Sequence, residues 1–133
     1  MVDQFLGDDA RDQAQAEAAG PSSSNAQPII DTHLHLIEPK RFTYPWISTE
    51  PRLQRTFDLT EYWSEAKLLG ISAALHMEVD VSPEQVEAEV VHVTGLAPPV
   101  AGAIAGCRPD LPSFPEQIER LGYYPPVKGV RHV

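Results

Sequence analysis

Ile29-Ile30-Asp31-Thr32-His33-Leu34-His35 is the stretch on which the fold turns. Its β-branched start reads as a strand over Ile29–Leu34. After a long loop through Pro39, Tyr44-Pro45-Trp46 and Pro51, Asp58-Leu59-Thr60-Glu61 reads as a capping box, with Asp58 as N-cap. Tyr62, Ala66 and Leu69 follow at helical spacing, and Gly70 closes the helix. Ile71–Met77 reads as a second strand. Ser82-Pro83-Glu84-Gln85 is a second capping box, opening a helix with Val86, Val90 and Val93 on its apolar face and Pro98-Pro99 as its stop. Val100–Cys107 is a third strand. Ser113-Phe114-Pro115-Glu116 caps a short helix with Ile118 and Leu121 as its buried stripe, and Val127–Val133 begins a fourth strand.

The resulting order, βαβαβαβ, predicts an α/β fold with parallel strands and right-handed crossovers. No Gly-x-Gly-x-x-Gly follows the first strand and no Walker-type loop occurs, which weakens a nucleotide-binding doubly wound sheet. A (β/α)8 barrel remains, and eight units take about 250 residues. The expectation is therefore a partial TIM-like (β/α)8 barrel over residues 28–133, its first four strands and three helices, in a chain that reads as truncated.

Residues 1–27 stand apart. Acids outnumber bases five to one there, and Met1, Val2, Phe5 and Leu6 are the only apolar residues larger than Ala. Such a segment buries too little surface to offset its ordering entropy, so it reads as a disordered acidic tail. Across the chain, 19 acidic and 10 basic residues give a net charge of −9. That balance argues against binding nucleic acid or an anionic membrane surface. No apolar run approaches the ~20 residues needed to span a bilayer. The acidic start is unlike a secretory leader, and the single cysteine, Cys107, allows neither an intrachain disulfide nor a Cys-based zinc module. A cytoplasmic protein handling a small molecule is the expectation.

Strand alternation puts Asp31, His33 and His35 on one face, with Thr32 and Leu34 on the other. The C-terminal end of a barrel strand is where the active sites of this architecture sit, and two imidazoles there suit a divalent cation. The plainer alternative is chance, since five histidines in 133 residues make one His-x-His pair modest evidence on its own. If Leu75 and Met77 pack on the helices, His76 and Glu78 point into the barrel mouth, with Glu78 the candidate carboxylate and His76 a hydrogen-bonded interior residue. Arg131 and His132 must face opposite sides. If Val130 packs outward, Arg131 points inward, where a guanidinium binds a carbonyl or carboxylate. Trp46 reads chiefly as packing for its loop, with lining of a sugar pocket as the alternative. His92 reads as a surface residue and Cys107 as a packed thiol.

Ile30-Asp31-Thr32-His33-Leu34-His35-Leu36, Tyr44-Pro45-Trp46-Ile47 and Lys128-Gly129-Val130-Arg131-His132 together resemble the amidohydrolase superfamily. Within it the likeness is to the amidohydrolase-2 branch of lactonase-like hydrolases. The resemblance implies a distorted (β/α)8 barrel in which an activated water opens a lactone or related cyclic ester. It implies a divalent metal, with zinc the expected ion, held by His33 and His35; metal dependence is not uniform in this branch, and the alternative is that the two histidines contact the substrate directly. With the facing readings above, the catalytic candidates are Glu78, Arg131 and His132, and the candidate substrate contacts are Arg131 and Trp46. The remaining ligands and the acid/base Asp of this superfamily come from later strands, the fifth, sixth and eighth. The rival expectation is a non-catalytic truncated polypeptide, unfolded or dependent on a partner, that self-associates through open strand edges. For the tail, limited proteolysis should cut first between Ala10 and Gln27; protection of that stretch equal to the rest of the chain would show that it packs.

Overall fold

A computed structural model describes residues 27–96 and 98–133. The expected tail, apart from Gln27, lies outside the described residues. The elements are β1 (Ile29–Leu34), α1 (Leu59–Ala66), β2 (Ile71–Met77), α2 (Val86–Thr94), β3 (Val100–Gly106), α3 (Phe114–Gly122) and β4 (Val127–Arg131). The strands form one sheet in the order β1-β2-β3-β4, and all three pairings are parallel. Sequence-adjacent parallel neighbours, each joined through a helix, are the repeating unit of a (β/α) barrel. Among the described residues β1 and β4 are the two edges. No helix among them is long and apolar enough to cross a membrane.

The helix starts follow the expected caps only in part. The Asp58 carboxylate accepts the Glu61 N–H at 2.9 Å, the N-cap bond that the sequence predicts. The return half of the box is absent, because Glu61 pairs with both terminal nitrogens of Arg55 instead. Gly70 closes the helical run in the left-handed region, φ 80°, after a 3-10 turn over Lys67–Leu69. Neither Ser82 nor Ser113 caps through its hydroxyl. A 3-10 turn over Pro83–Gln85 precedes α2, and Gln85 holds the preceding loop by accepting the Thr43 N–H.

Two apolar clusters hold the helices and the long loop to the sheet. In one, Leu34 and Leu36 of the first strand segment and Ala74 of β2 pack with Leu59 and Tyr62 of α1. In the other, Val86 and Val90 of α2, Ala105 of β3 and Leu121 of α3 meet Ile37, Phe42, Tyr44, Val79 and Val81. Leu121 carries the α3 contact; Ile118, expected beside it, is 37% exposed. The α2 face expected from Val86, Val90 and Val93 is buried as read, and Glu89 is buried with them. The long loop is pinned at its base by Ile37 and Phe57, which exchange backbone hydrogen bonds at 3.1 and 2.8 Å.

Two facing expectations are overturned. Asp31 pairs with Ala74 and Leu34 with His76, so β1 takes three steps while β2 takes two. This bulge reverses the alternation. Asp31 therefore turns toward α1, where its carboxylate accepts the Tyr62 hydroxyl at 2.8 Å, and it does not share a face with His33 and His35. Burial, with the Asp31 carboxylate alongside, pushes the Tyr62 phenol up to about 12. On β2, Ala74 and His76 rather than Leu75 and Met77 face the helices. The small Ala74 side chain lets α1 approach, and His76 meets Glu89 of α2 at 3.3 Å.

Glycine substitutions separate tight from open backbone. A Cβ on Gly102 would lie 2.7 Å from the Pro126 carbonyl oxygen, so β3 and β4 would have to part. Nothing lies within 4 Å of one on Gly122. Gly102→Ala should destabilise by about 1–3 kcal/mol through overpacking. Gly122→Ala should stabilise by about 0.4–1 kcal/mol through the unfolded state. Urea midpoints at constant m-value check both.

Candidate functional site

The bulge in β1 orients the two histidines. The Asp31 carboxylate accepts the His33 N–H at 2.9 Å, closing a local turn that holds the extra residue. With Leu34 and Leu36 committed to the α1 side, His33 and His35 turn the other way. Their rings meet edge to face, with centroids 4.8 Å apart. His35 is half-buried, and its Nδ1 lies 2.9 Å from the Met77 carbonyl, which only an Nδ1–H can satisfy. The Nε2 lone pair is then left for a ligand. Burial is the largest influence on His35 and holds its pKa below the usual value, against the raising effect of the Met77 carbonyl. His33, Arg131 and His76 push in the same downward direction as burial.

Glu78 lies one residue beyond the end of β2, where strand alternation no longer applies. Its side chain is almost wholly buried. One carboxylate oxygen accepts Arg131 Nε at 2.6 Å and the other accepts the Asp80 N–H at 2.7 Å. Asp80 has a left-handed backbone, φ 50°, a conformation that Asp tolerates better than most residues. Its own carboxylate is ion-paired with Arg108. An alternating line of charges, Arg131–Glu78 followed by Asp80–Arg108, thus joins the ends of β2, β3 and β4. Arg131 uses only Nε here, and its two terminal nitrogens have no partner among the described residues.

His35, Glu78, Asp80 and Arg131 line a cleft of about 630 Å³ together with Ile37, Trp46, Leu53, Phe57 and Val79. This volume lies within the ordinary range for small-molecule sites. Trp46 both packs the loop and lines the cleft. Its indole N–H donates to the Val79 carbonyl at 2.8 Å, and its ring meets Tyr44 edge to face. A larger concavity of about 760 Å³, under Arg41, Gln85, His92 and Tyr124, holds none of the strand-end candidates.

Of the site residues expected from sequence, the structure therefore brings His35, Glu78, Arg131 and Trp46 to one cleft. His33 stands beside His35. His132 is exposed, its Nδ1 3.1 Å from the Cys107 carbonyl, and it does not line the cleft. His76 is buried against Glu89 and does not point into the mouth; its Nδ1 has no hydrogen-bond partner. His92 is not a free surface residue, since it pairs with Glu38 at 2.6 Å. Cys107 is buried, and burial raises its pKa, which keeps the thiol protonated. The Asp80–Arg108 pair was missed by sequence reasoning, and no local pattern marks it. Glu89 was also missed, although its position three residues after Val86 placed it on the buried face. For a metal, the fixed tautomer of His35 fits a nitrogen-ligand role. Among the described residues, however, no three His, Cys, Asp or Glu side chains are grouped to hold one.

The same arrangement of strands and helices occurs in a solved structure, an amidohydrolase 2 from Bifidobacterium longum subsp. infantis, with a TM-score of 0.58. The fold is that of a partial amidohydrolase-like barrel. Sequence identity is 18% over 80% of this chain and 40% of that one, so the likeness is one of fold, and this chain spans about two fifths of its neighbour's length. No family model matches the sequence, and no curated protein does.

The Glu78–Arg131 clamp should be measurable. Arg131 is about one-third exposed, so solvent reduces what the pair contributes. Arg131→Met should cost about 1–2 kcal/mol, because a buried carboxylate loses a charged donor. A double-mutant cycle with Glu78→Gln should give a coupling of about 1 kcal/mol. Additive urea-denaturation energies would show that the two side chains do not act as a pair.

Proposed function

We propose that this protein is an amidohydrolase-related hydrolase of the cytoplasm that acts on a lactone or similar cyclic ester. The observation that carries the reading is the meeting of His35, Glu78 and Arg131 at the C-terminal ends of parallel strands, around one cleft. Arg131, held by Glu78 through Nε, presents its terminal N–H groups to the ester carbonyl oxygen, where negative charge grows as water attacks. Neutral His35, with Nε2 unprotonated, accepts a hydrogen bond or binds a metal. Trp46 offers its ring to the substrate.

We further propose that His33 and His35 are ligands of a divalent metal, with zinc favoured by their nitrogen donors. Such an ion supplies Lewis acidity and lowers the pKa of a bound water toward ~7. Two donors are half of a zinc site's usual four, so this chain should hold the ion weakly. Glu78 and Asp80 are both committed to arginines, so among the described residues the free proton acceptors of the cleft are the His35 Nε2 and the exposed Glu50 carboxylate, and with the ion held weakly neither has an activated water to work on. We infer that the chain alone turns over little or no lactone and associates through its β1 and β4 edges, beside which Ile29, Ile30 and Val130 lie exposed.

The full chain is tested by Zn²⁺ calorimetry, light scattering and lactone binding. The expected results are zinc binding no tighter than the micromolar range and lost in His33→Ala/His35→Ala, and a mass above the monomer's. Lactone binding should be weakened about tenfold by Arg131→Met. Tight zinc binding that survives the double change would remove the metal site, and lactone binding indifferent to Arg131 would remove the substrate site.

A further inference from the structure

The cleft lining is mostly hydrocarbon, and that bears on which cyclic ester it takes. Ile37, Trp46, Leu53, Phe57 and Val79 form the apolar wall. Most of the polar atoms that interrupt it are already engaged; the exposed Glu50 carboxylate is an exception, with no partner among the described residues. The Trp46 N–H is taken by the Val79 carbonyl at 2.8 Å. The Thr49 hydroxyl donates to the Trp46 carbonyl at 2.7 Å. Both Glu78 oxygens accept hydrogen bonds, and Asp80 is paired with Arg108. Behind the wall, the Arg55 guanidinium lies 3.5 Å from the centre of the Phe57 ring and covers one of its faces.

We infer that this cleft selects a lactone whose ring carries aryl or alkyl substituents over the hydroxylated ring of a sugar lactone. The inference rests on the reading that the site binds cyclic esters, and it deepens that reading by naming the class. The reason is desolvation. A ring hydroxyl laid on Trp46, Leu53 and Phe57 gives up water and finds a free acceptor only where it reaches Glu50 or the His35 Nε2; elsewhere it costs roughly tenfold in affinity per hydroxyl. A hydrocarbon ring in the same place gains burial instead. Both classes present the same ester carbonyl to Arg131, so Arg131 fixes orientation while the wall sets the preference. An indole ring whose N–H is tied to the protein offers a ligand only its hydrocarbon surface. The volume of about 630 Å³ leaves room for a fused bicyclic ligand.

The test is direct binding to the full chain, read by calorimetry and saturation-transfer NMR, with dihydrocoumarin, δ-decalactone and glucono-1,5-lactone as probes. Dihydrocoumarin and δ-decalactone should bind at least tenfold more tightly than the sugar lactone. Leu53→Gln, at a half-buried position in the wall, should narrow that ratio several-fold with the circular dichroism spectrum unchanged. Arg131→Met should weaken the two classes alike. A sugar lactone that binds as tightly as the other two, or more tightly, overturns this inference and leaves the cyclic-ester reading in place. Failure of all three probes to bind overturns both.

Discussion

One carboxylate sets the geometry on which the rest depends. Asp31 accepts the His33 N–H and the Tyr62 hydroxyl together, so a single side chain holds the β1 bulge and docks the first helix on it. Because the side-chain period of a strand is two, one extra residue exchanges the faces of everything after it. Without the bulge, Leu34 and Leu36 would leave the α1 cluster for the side on which His33 and His35 now stand. The bulge thus lets one short segment supply an apolar contact and a pair of imidazoles in sequence. At the far edge of the sheet the Glu78–Arg131 pair plays the complementary part, tying the end of β2 to the end of β4 across β3.

The element order was legible in the sequence because it rests on signals that act locally. Asp58 caps α1, Gly70 stops the helical run, and the Val86, Val90, Val93 spacing is buried as its period predicts. The positions of Glu78 and Arg131 were legible because strand ends are where a barrel gathers function. Facing was the weak point. Alternation presumes regular pairing, and the irregular registers of β1 with β2 and of β3 with β4 are products of tertiary contact that no dipeptide announces. His76 shows the same limit. Its surroundings depend on Glu89, thirteen residues later, arriving on the helix packed above it.

The buried polar groups divide by purpose. His76 and Glu89 sit under α2 at 1% and 2% exposure, away from the cleft lining, with Glu89 also accepting the Val79 N–H. Glu89, partnered by both His76 and the Val79 N–H, fixes one arrangement among several of similar apolar packing, although the His76 Nδ1 is left without a partner. Glu78 is as deeply buried, but it faces a guanidinium that still has donors to offer. The difference between the two carboxylates lies in what their partners have left over, and not in depth.

The bridge between Ile37 and Phe57 has a consequence for how such a protein can change. Between Tyr44 and Gln54 the loop is stitched into two 3-10 turns by its own backbone, with the Gln54 amide donating to the Ile47 and Ser48 carbonyls. This segment carries Trp46 and Leu53, yet it contributes no strand to the sheet. Substitutions at its exposed or half-exposed positions alter the shape offered to a ligand while the strand ladder, and the charges at its end, stay where they are. The segment is thus of two kinds: the exposed Thr49 and Glu50 can drift under selection without drawing on framework stability, whereas Trp46 and Leu53 also pack against the main apolar cluster and cannot.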